Sequence, residues 1–108
     1  MKGPDDDREL VFDALADPTR RRMLSLLGDR GEATATELAA ELPVTRQAVA
    51  KHLAALERAG LVSPRREGRE TRYRLTPEPL EEAIAWMADV GARWDRSLER
   101  LSERARQA

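Results

Sequence analysis

Pro43 leaves this chain almost no room to turn. It closes one amphipathic run, "TATELAAEL" (residues 34–42), and the next, "TRQAVAKHLAALERAG" (residues 45–60), begins two residues later. In the first run Thr34 and Glu37 have capping-box spacing, and Leu38, Ala39 and Leu42 share an inward face. In the second, Thr45 is placed to cap, Val49, Leu53 and Leu56 recur at i, i+4 and i+7, and Gly60 ends the pattern. Two helices joined by so short a link must cross as a helix-turn-helix.

The second helix has an unusual outer side. Opposite the apolar stripe stand Gln47, Ala50, Lys51 and Ala54, two hydrogen-bonding residues and two that are nearly bare backbone. A helix that only covers its own core has no use for so slim a polar face. A helix that enters the major groove of DNA does, because small residues let its axis approach the base edges. Arg46 and Gln47 lie in its first turn and Lys51 one turn on, where base edges would be read. Thr45 and the N-terminal amides are placed to meet a phosphate.

Charge supports that direction. The net charge is −1, but residues 45–76 hold eight basic and three acidic residues, so one contiguous third of an acidic chain is basic. A chain that meets a polyanion on one face has this pattern. Much of the charge lies in "LVSPRREGRETRYRL" (residues 61–75), two β-like arms around a glycine turn. Tyr73 and Leu75 alternate with Arg72 and Arg74, and Pro64 confines the first arm to an edge. Arg66 and Arg69 flank the tip, where they could reach a minor groove or its phosphates. Arg72 and Arg74 either meet the flanking backbone or pair with Glu67 and Glu70. Arginine also guards sheet edges against aggregation, the alternative use of such a set.

Before these elements, residues 1–7 are expected to be a disordered acidic tail and residues 8–16 a first helix. "DPTRRRMLSLLG" then starts a second helix at Asp17 and Pro18, ended by Gly28, with "GDRGEA" as a turn. Arg20 is expected to be structural, and Arg21 and Arg22 solvated. After the hairpin, Leu80, Ile84, Met87, Gly91, Trp94, Leu98 and Leu101 are spaced 4, 3, 4, 3, 4, 3. That seven-residue repeat is the seam of two packed helices. With Leu10, Val11 and Leu15 of the first helix it offers a dimer surface. Trp86, Val90 and Trp94 form a neighbouring ridge, where core packing is the simpler reading and a small-molecule pocket beside Gly91 the other.

Three blocks, "LADPTRRRMLSLL", "TRQAVAKHLAALERAGLV" and "RREGRETRYRLTP", closely resemble the ArsR family of bacterial winged helix-turn-helix repressors. The resemblance runs over roughly residues 10–100. It implies a mostly α-helical fold with a small β-hairpin wing: a winged helix-turn-helix domain over residues 8–76 and a dimerisation helix over 77–108. It also implies a dimeric repressor, with Arg46, Gln47 and Lys51 on recognition-helix positions and Arg66 and Arg69 at the wing tip. Metal-sensing members of that family carry a cysteine pair in the third helix, or His and carboxylate ligands in the terminal helix. This chain has no cysteine and a single histidine, His52. A lone imidazole does not hold zinc or copper, so no metal or cofactor is expected and His52 is read as a structural or phosphate hydrogen-bonding residue.

Enzyme readings find no footing: there is no nucleophile with a Cys or His partner and no glycine-rich phosphate loop. The chain has no run of about 18 apolar residues and no leader-like start, so a cytoplasmic protein with no membrane partner is expected. The expected function is a homodimeric repressor on duplex DNA, with an unidentified small-molecule effector left open. The competing reading is a dimeric protein-interaction module on the same fold that does not read DNA.

Overall fold

The structure, a computed structural model, describes the backbone of residues 4–107 and the side chains from residue 6 onward. In chain order it comprises α1 (Pro4–Ala16), α2 (Pro18–Arg30), β1 (Glu32–Thr34), α3 (Ala35–Glu41), α4 (Arg46–Arg58), β2 (Val62–Glu67), β3 (Glu70–Leu75) and α5 (Glu78–Gln107). Among the described residues the core is wholly apolar. Met23 and Leu27 of α2, Leu38 of α3 and Val49, Leu53 and Leu56 of α4 meet in its centre, with Leu61 closing it at the hairpin's base. Those of α3 and α4 are the inward positions read from the helical period, and burial of one stripe per helix is what sets the three helices together.

The local signals act as written. Asp17 caps α2, its carboxylate accepting from the Thr19 and Arg20 amides at 2.8 and 3.2 Å. Thr34 and Glu37 form a reciprocal capping box at the start of α3 (3.1 and 2.8 Å). Past α4, Leu61 N–H donates to the Leu56 carbonyl and Gly60 N–H to that of Glu57, both at 2.9 Å. This Schellman geometry needs the positive φ of 75° that Gly60 supplies. Gly68, at φ 62°, opens the two-residue turn between the paired Glu67 and Glu70.

Several expectations are corrected. The acidic stretch called a disordered tail is helical from Pro4, so α1 begins earlier than residue 8; residues 1–3 lie outside the described part. Acidic residues in a first helical turn offset the partial positive charge there, which a reading by hydropathy overlooks. Gly28 does not end α2. The helix continues to Arg30 and is closed by Gly31, whose N–H donates to the Leu27 carbonyl at 2.9 Å. Within the expected "GDRGEA" turn lies a short strand, β1, which pairs antiparallel with β3 (Glu32 opposite Arg74, Ala33 opposite Tyr73, Thr34 opposite Arg72). The hairpin is therefore part of a three-stranded sheet of order β1-β3-β2.

Val11 also moves. Expected on a dimer surface, it is buried in the protomer's own core, and Leu10 and Leu80 pack partly against that core. Phe12 of α1 meets Trp86 of α5 with ring centroids 5.6 Å apart, and the Arg8 guanidinium lies 4.8 Å over the same indole. These contacts dock the first part of α5, including the buried Ala83, and free the rest. The helix runs on for 30 residues in a molecule 70 Å long.

Candidate nucleic-acid interface

The site grows from the start of α4. Thr45 accepts the Ala48 amide at 3.1 Å, which fixes the first turn and the directions of Arg46 and Gln47. Arg46, Gln47, Ala50, Lys51 and Ala54 are all exposed, while Val49, Leu53 and Leu56 are buried on the other side. Among the described residues, the side chains of Arg46, Gln47 and Lys51 have no hydrogen-bonding or ionic partner within the chain. The helix thus presents a thin face whose polar groups are uncommitted.

Facing it is the wing. Arg66, Thr71 and Tyr73 alternate onto the hairpin face that looks toward α4, and Arg69 stands at the tip. Between them runs an open groove of about 950 Å³, bounded by Thr45, Arg46, Gln47 and Ala50 on the helix and by Thr34–Glu37 at its end. Arg66 Nε donates to the Gly68 carbonyl at 3.1 Å, which holds its guanidinium beside the turn. The structure brings Thr45, Arg46, Gln47, Arg66, Arg69 and Arg72 into one concave surface; Lys51 lies one turn beyond it.

Arg72 differs from the other residues expected at the interface. It is half-buried and surrounded by carboxylates: Glu32 at 3.1 Å, Glu70 at 3.3 Å and Glu37 at 3.5 Å. Arg65, opposite it on β2, holds Glu32 and Glu67, each at 3.0 Å. Of the two uses considered for Arg72, the carboxylate pairing is the observed one, and it takes in Glu32 and Glu37 as well as Glu70. Sequence reading missed Glu32 altogether, because only the pairing of β1 with β3 brings residue 32 beside residue 72. Hydrogen bonds from Arg65, then Arg72, hold the Glu32 carboxyl below the usual range. The Thr34 amide does the same for Glu37, helped by Arg72 and Arg30.

Behind α4, Arg20 Nε donates to Nδ1 of His52 and its Nη1 to the Asp13 carbonyl. His52 and Arg20 therefore have the structural roles expected of them. Arg21, expected to be solvated, donates to the Leu15 carbonyl at 2.7 Å and so serves the end of α1. On α5, Ile84, Met87, Trp94, Leu98 and Leu101 remain exposed, Trp94 at 65% and Leu101 at 59%. Trp86, Val90 and Trp94 do not form a core ridge, and nothing approaches within 4 Å of a side chain placed at Gly91. Among the described residues no three His, Asp or Glu side chains are grouped so as to hold a metal ion, and no helix is long and apolar enough to cross a membrane.

Known proteins supply the family. Residues 15–65 match the model of a helix-turn-helix domain. The transcriptional repressor SdpR of Bacillus subtilis is 34% identical over 88 residues, 82% of this chain and 97% of SdpR. The regulator YuzN of the same organism is 40% identical over 84 residues, 72% of this chain and 91% of YuzN. The solved structure of an ArsR-like transcriptional regulator from Rhodococcus sp. RHA1 superposes with a TM-score of 0.82 at 42% identity, covering 94% of this chain and 95% of that one. The chain belongs to the ArsR family. As an ArsR-family protein it is a DNA-binding transcriptional regulator, not an enzyme, with a winged helix-turn-helix fold. In ArsR terms α3 and α4 are the helix-turn-helix, β2 and β3 the wing.

Proposed function

We propose that the chain acts in the cytoplasm as a homodimeric repressor that occupies an inverted-repeat operator. One observation carries the reading: Arg46 and Gln47 at the start of α4 share a single groove with Arg66 and Arg69 of the wing. A helix start aimed at base edges and a cationic tip one groove away are the two contacts a winged domain makes with duplex DNA. Thr45, Arg46, Gln47 and Lys51 take the major groove and its phosphates, and Arg66 and Arg69 the flanking backbone or minor groove. Arg72 supports the wing from within.

The second copy belongs to α5. Ile84, Met87, Trp94, Leu98 and Leu101 are apolar and exposed along one seven-residue seam, which a second α5 would cover. Two-fold pairing sets two α4 helices on one side of the duplex, about 34–36 Å apart. A small-molecule effector would reach both working helices in the cavity of about 570 Å³ between α1, the end of α4 and the start of α5, which Leu10, Val11, Ala59 and Ala83 line.

Selection of bound genomic fragments followed by footprinting tests this reading. The expected pattern is an inverted repeat with two protected major grooves one helical turn apart. Tight binding of a single half-site by a monomer would overturn the dimer. Binding that does not distinguish any genomic site from random duplex would overturn the operator.

A further inference from the structure

The polar face of the sheet contains an arrangement that DNA binding alone does not require. Arg65 and Arg72 are directly opposite one another on β2 and β3. Like charges at such a cross-strand position repel. Glu32 lies between them. Its Cα is paired with Arg74, and its carboxylate reaches two residues along β3 to Arg72 Nε (3.1 Å) and across to Arg65 Nη2 (3.0 and 3.2 Å). One side chain from β1 thus bridges all three strands.

A carboxylate and a phosphate compete for the same N–H edge of a guanidinium. Of the four arginines in the outer part of the hairpin, Arg65 and Arg72 are occupied by Glu32, Glu37, Glu67 and Glu70, four acids on two bases. Arg66 and Arg69 form no ion pair among the described residues. We propose that Glu32 is a positioning residue for DNA recognition: by occupying Arg65 and Arg72 it limits the phosphate contacts of the wing's outer arginines to Arg66 and Arg69 and holds the hairpin against the helix-turn-helix. Its effect is on the sequence-independent part of binding. Each additional phosphate contact strengthens binding to every duplex alike, so withholding two arginines lowers overall affinity and salt dependence and leaves the ratio of operator to random binding to the base contacts.

This inference rests on the wing meeting DNA, and the test separates the two. Full-length protein is titrated onto a random-sequence duplex and onto a selected operator at several salt concentrations, with circular dichroism confirming the fold. Arg69→Gln should flatten the salt dependence by roughly 0.9 per protomer, one phosphate's worth. Arg65→Gln, which removes an equally basic residue on the same hairpin, should leave the slope unchanged. Glu32→Gln should steepen it by about one phosphate per protomer and strengthen binding to operator and random duplex alike, leaving their ratio unchanged. Adding Arg65→Gln to Glu32→Gln should restore the slope. Glu41→Gln, the same charge change on α3, should leave it as in the wild type. If Arg69→Gln has no effect, the wing reading fails. If Arg69→Gln flattens the slope and Arg65→Gln flattens it equally, Arg65 is a phosphate contact and the role of Glu32 is wrong. A steepening by Glu41→Gln equal to that of Glu32→Gln would reduce the effect to net charge and also overturn it. Should Glu32→Gln fail to fold, Arg65→Gln against Arg69→Gln decides the matter without it.

Discussion

Arg20 Nε donates to His52 Nδ1 across 3.3 Å, joining the first turn of α2 to the middle of α4. A guanidinium can only donate, so the imidazole nitrogen is the acceptor. Arg20 also holds the Asp13 carbonyl near the end of α1. The helix proposed to face DNA is thereby braced from behind by two others. A double-mutant cycle with Arg20→Gln and His52→Ala should give a coupling of about 0.5–1.5 kcal/mol in denaturant unfolding. Strict additivity would show that the contact contributes nothing.

Base reading should separate from backbone binding. Arg46→Ala and Gln47→Ala are expected to relax base preference, each lost contact being worth roughly 1–3 kcal/mol of discrimination. Arg69→Ala is expected to weaken binding evenly across sequences. Binding to a randomised library at fixed salt checks this, and altered base preference in Arg69→Ala with none in the helix variants would reverse the assignment.

The apolar seam of α5 gives a prediction in assembly. Leu98→Glu with Leu101→Glu should convert dimer to monomer in sedimentation at micromolar concentration. DNA affinity should fall by far more than any single base contact is worth. Because paired subunits stabilise one another, unfolding midpoints must be compared at matched protein concentration.

Acid should destabilise the fold through identifiable groups. Asp17 is held low by the Arg20 amide, Glu32 by Arg65 and Glu37 by the Thr34 amide. Carboxyls that are depressed in the folded state stabilise it above their unfolded values, and that contribution is lost as pH falls through the lowered ones. Stability should therefore be level near neutrality and decline below about pH 4. Asp17→Asn and Glu32→Gln should each flatten the decline, as read from urea midpoints against pH.

Metal should not regulate the protein. Zinc, copper or arsenite at stoichiometric concentration is expected to leave operator affinity unchanged, since the chain has no cysteine and one histidine. Calorimetry together with a gel shift checks it. Tight binding of one metal per protomer with release of DNA would contradict it.

What could be read in the sequence was local. The Thr34–Glu37 box, the Thr45 cap and the Gly60 terminus each depend on residues within one turn of one another, so spacing reveals them. The exposure of α4's slim face and of the α5 seam followed from periodicity alone. What stayed hidden depended on distant partners. "EAT" has no strand signal of its own and becomes β1 only by pairing with residues 72–74. Val11 shares a helix face with Leu10, and only the docking of α1 and α5 puts it in the core. Arg72 looks like any wing arginine until the register brings Glu32 beside it.

Thr34 is at once the last residue of β1, opposite Arg72, and the cap of α3. No hinge separates the sheet from the helix pair, because one residue belongs to both. In the proposed complex the α4 face and the wing would therefore be jaws of one caliper, joined through that shared residue. DNA varies in groove width and twist with its sequence. A caliper of fixed opening would select among sites by their dimensions, so base pairs that no side chain touches, between the α4 contact and the wing, would contribute to where the protein stays bound.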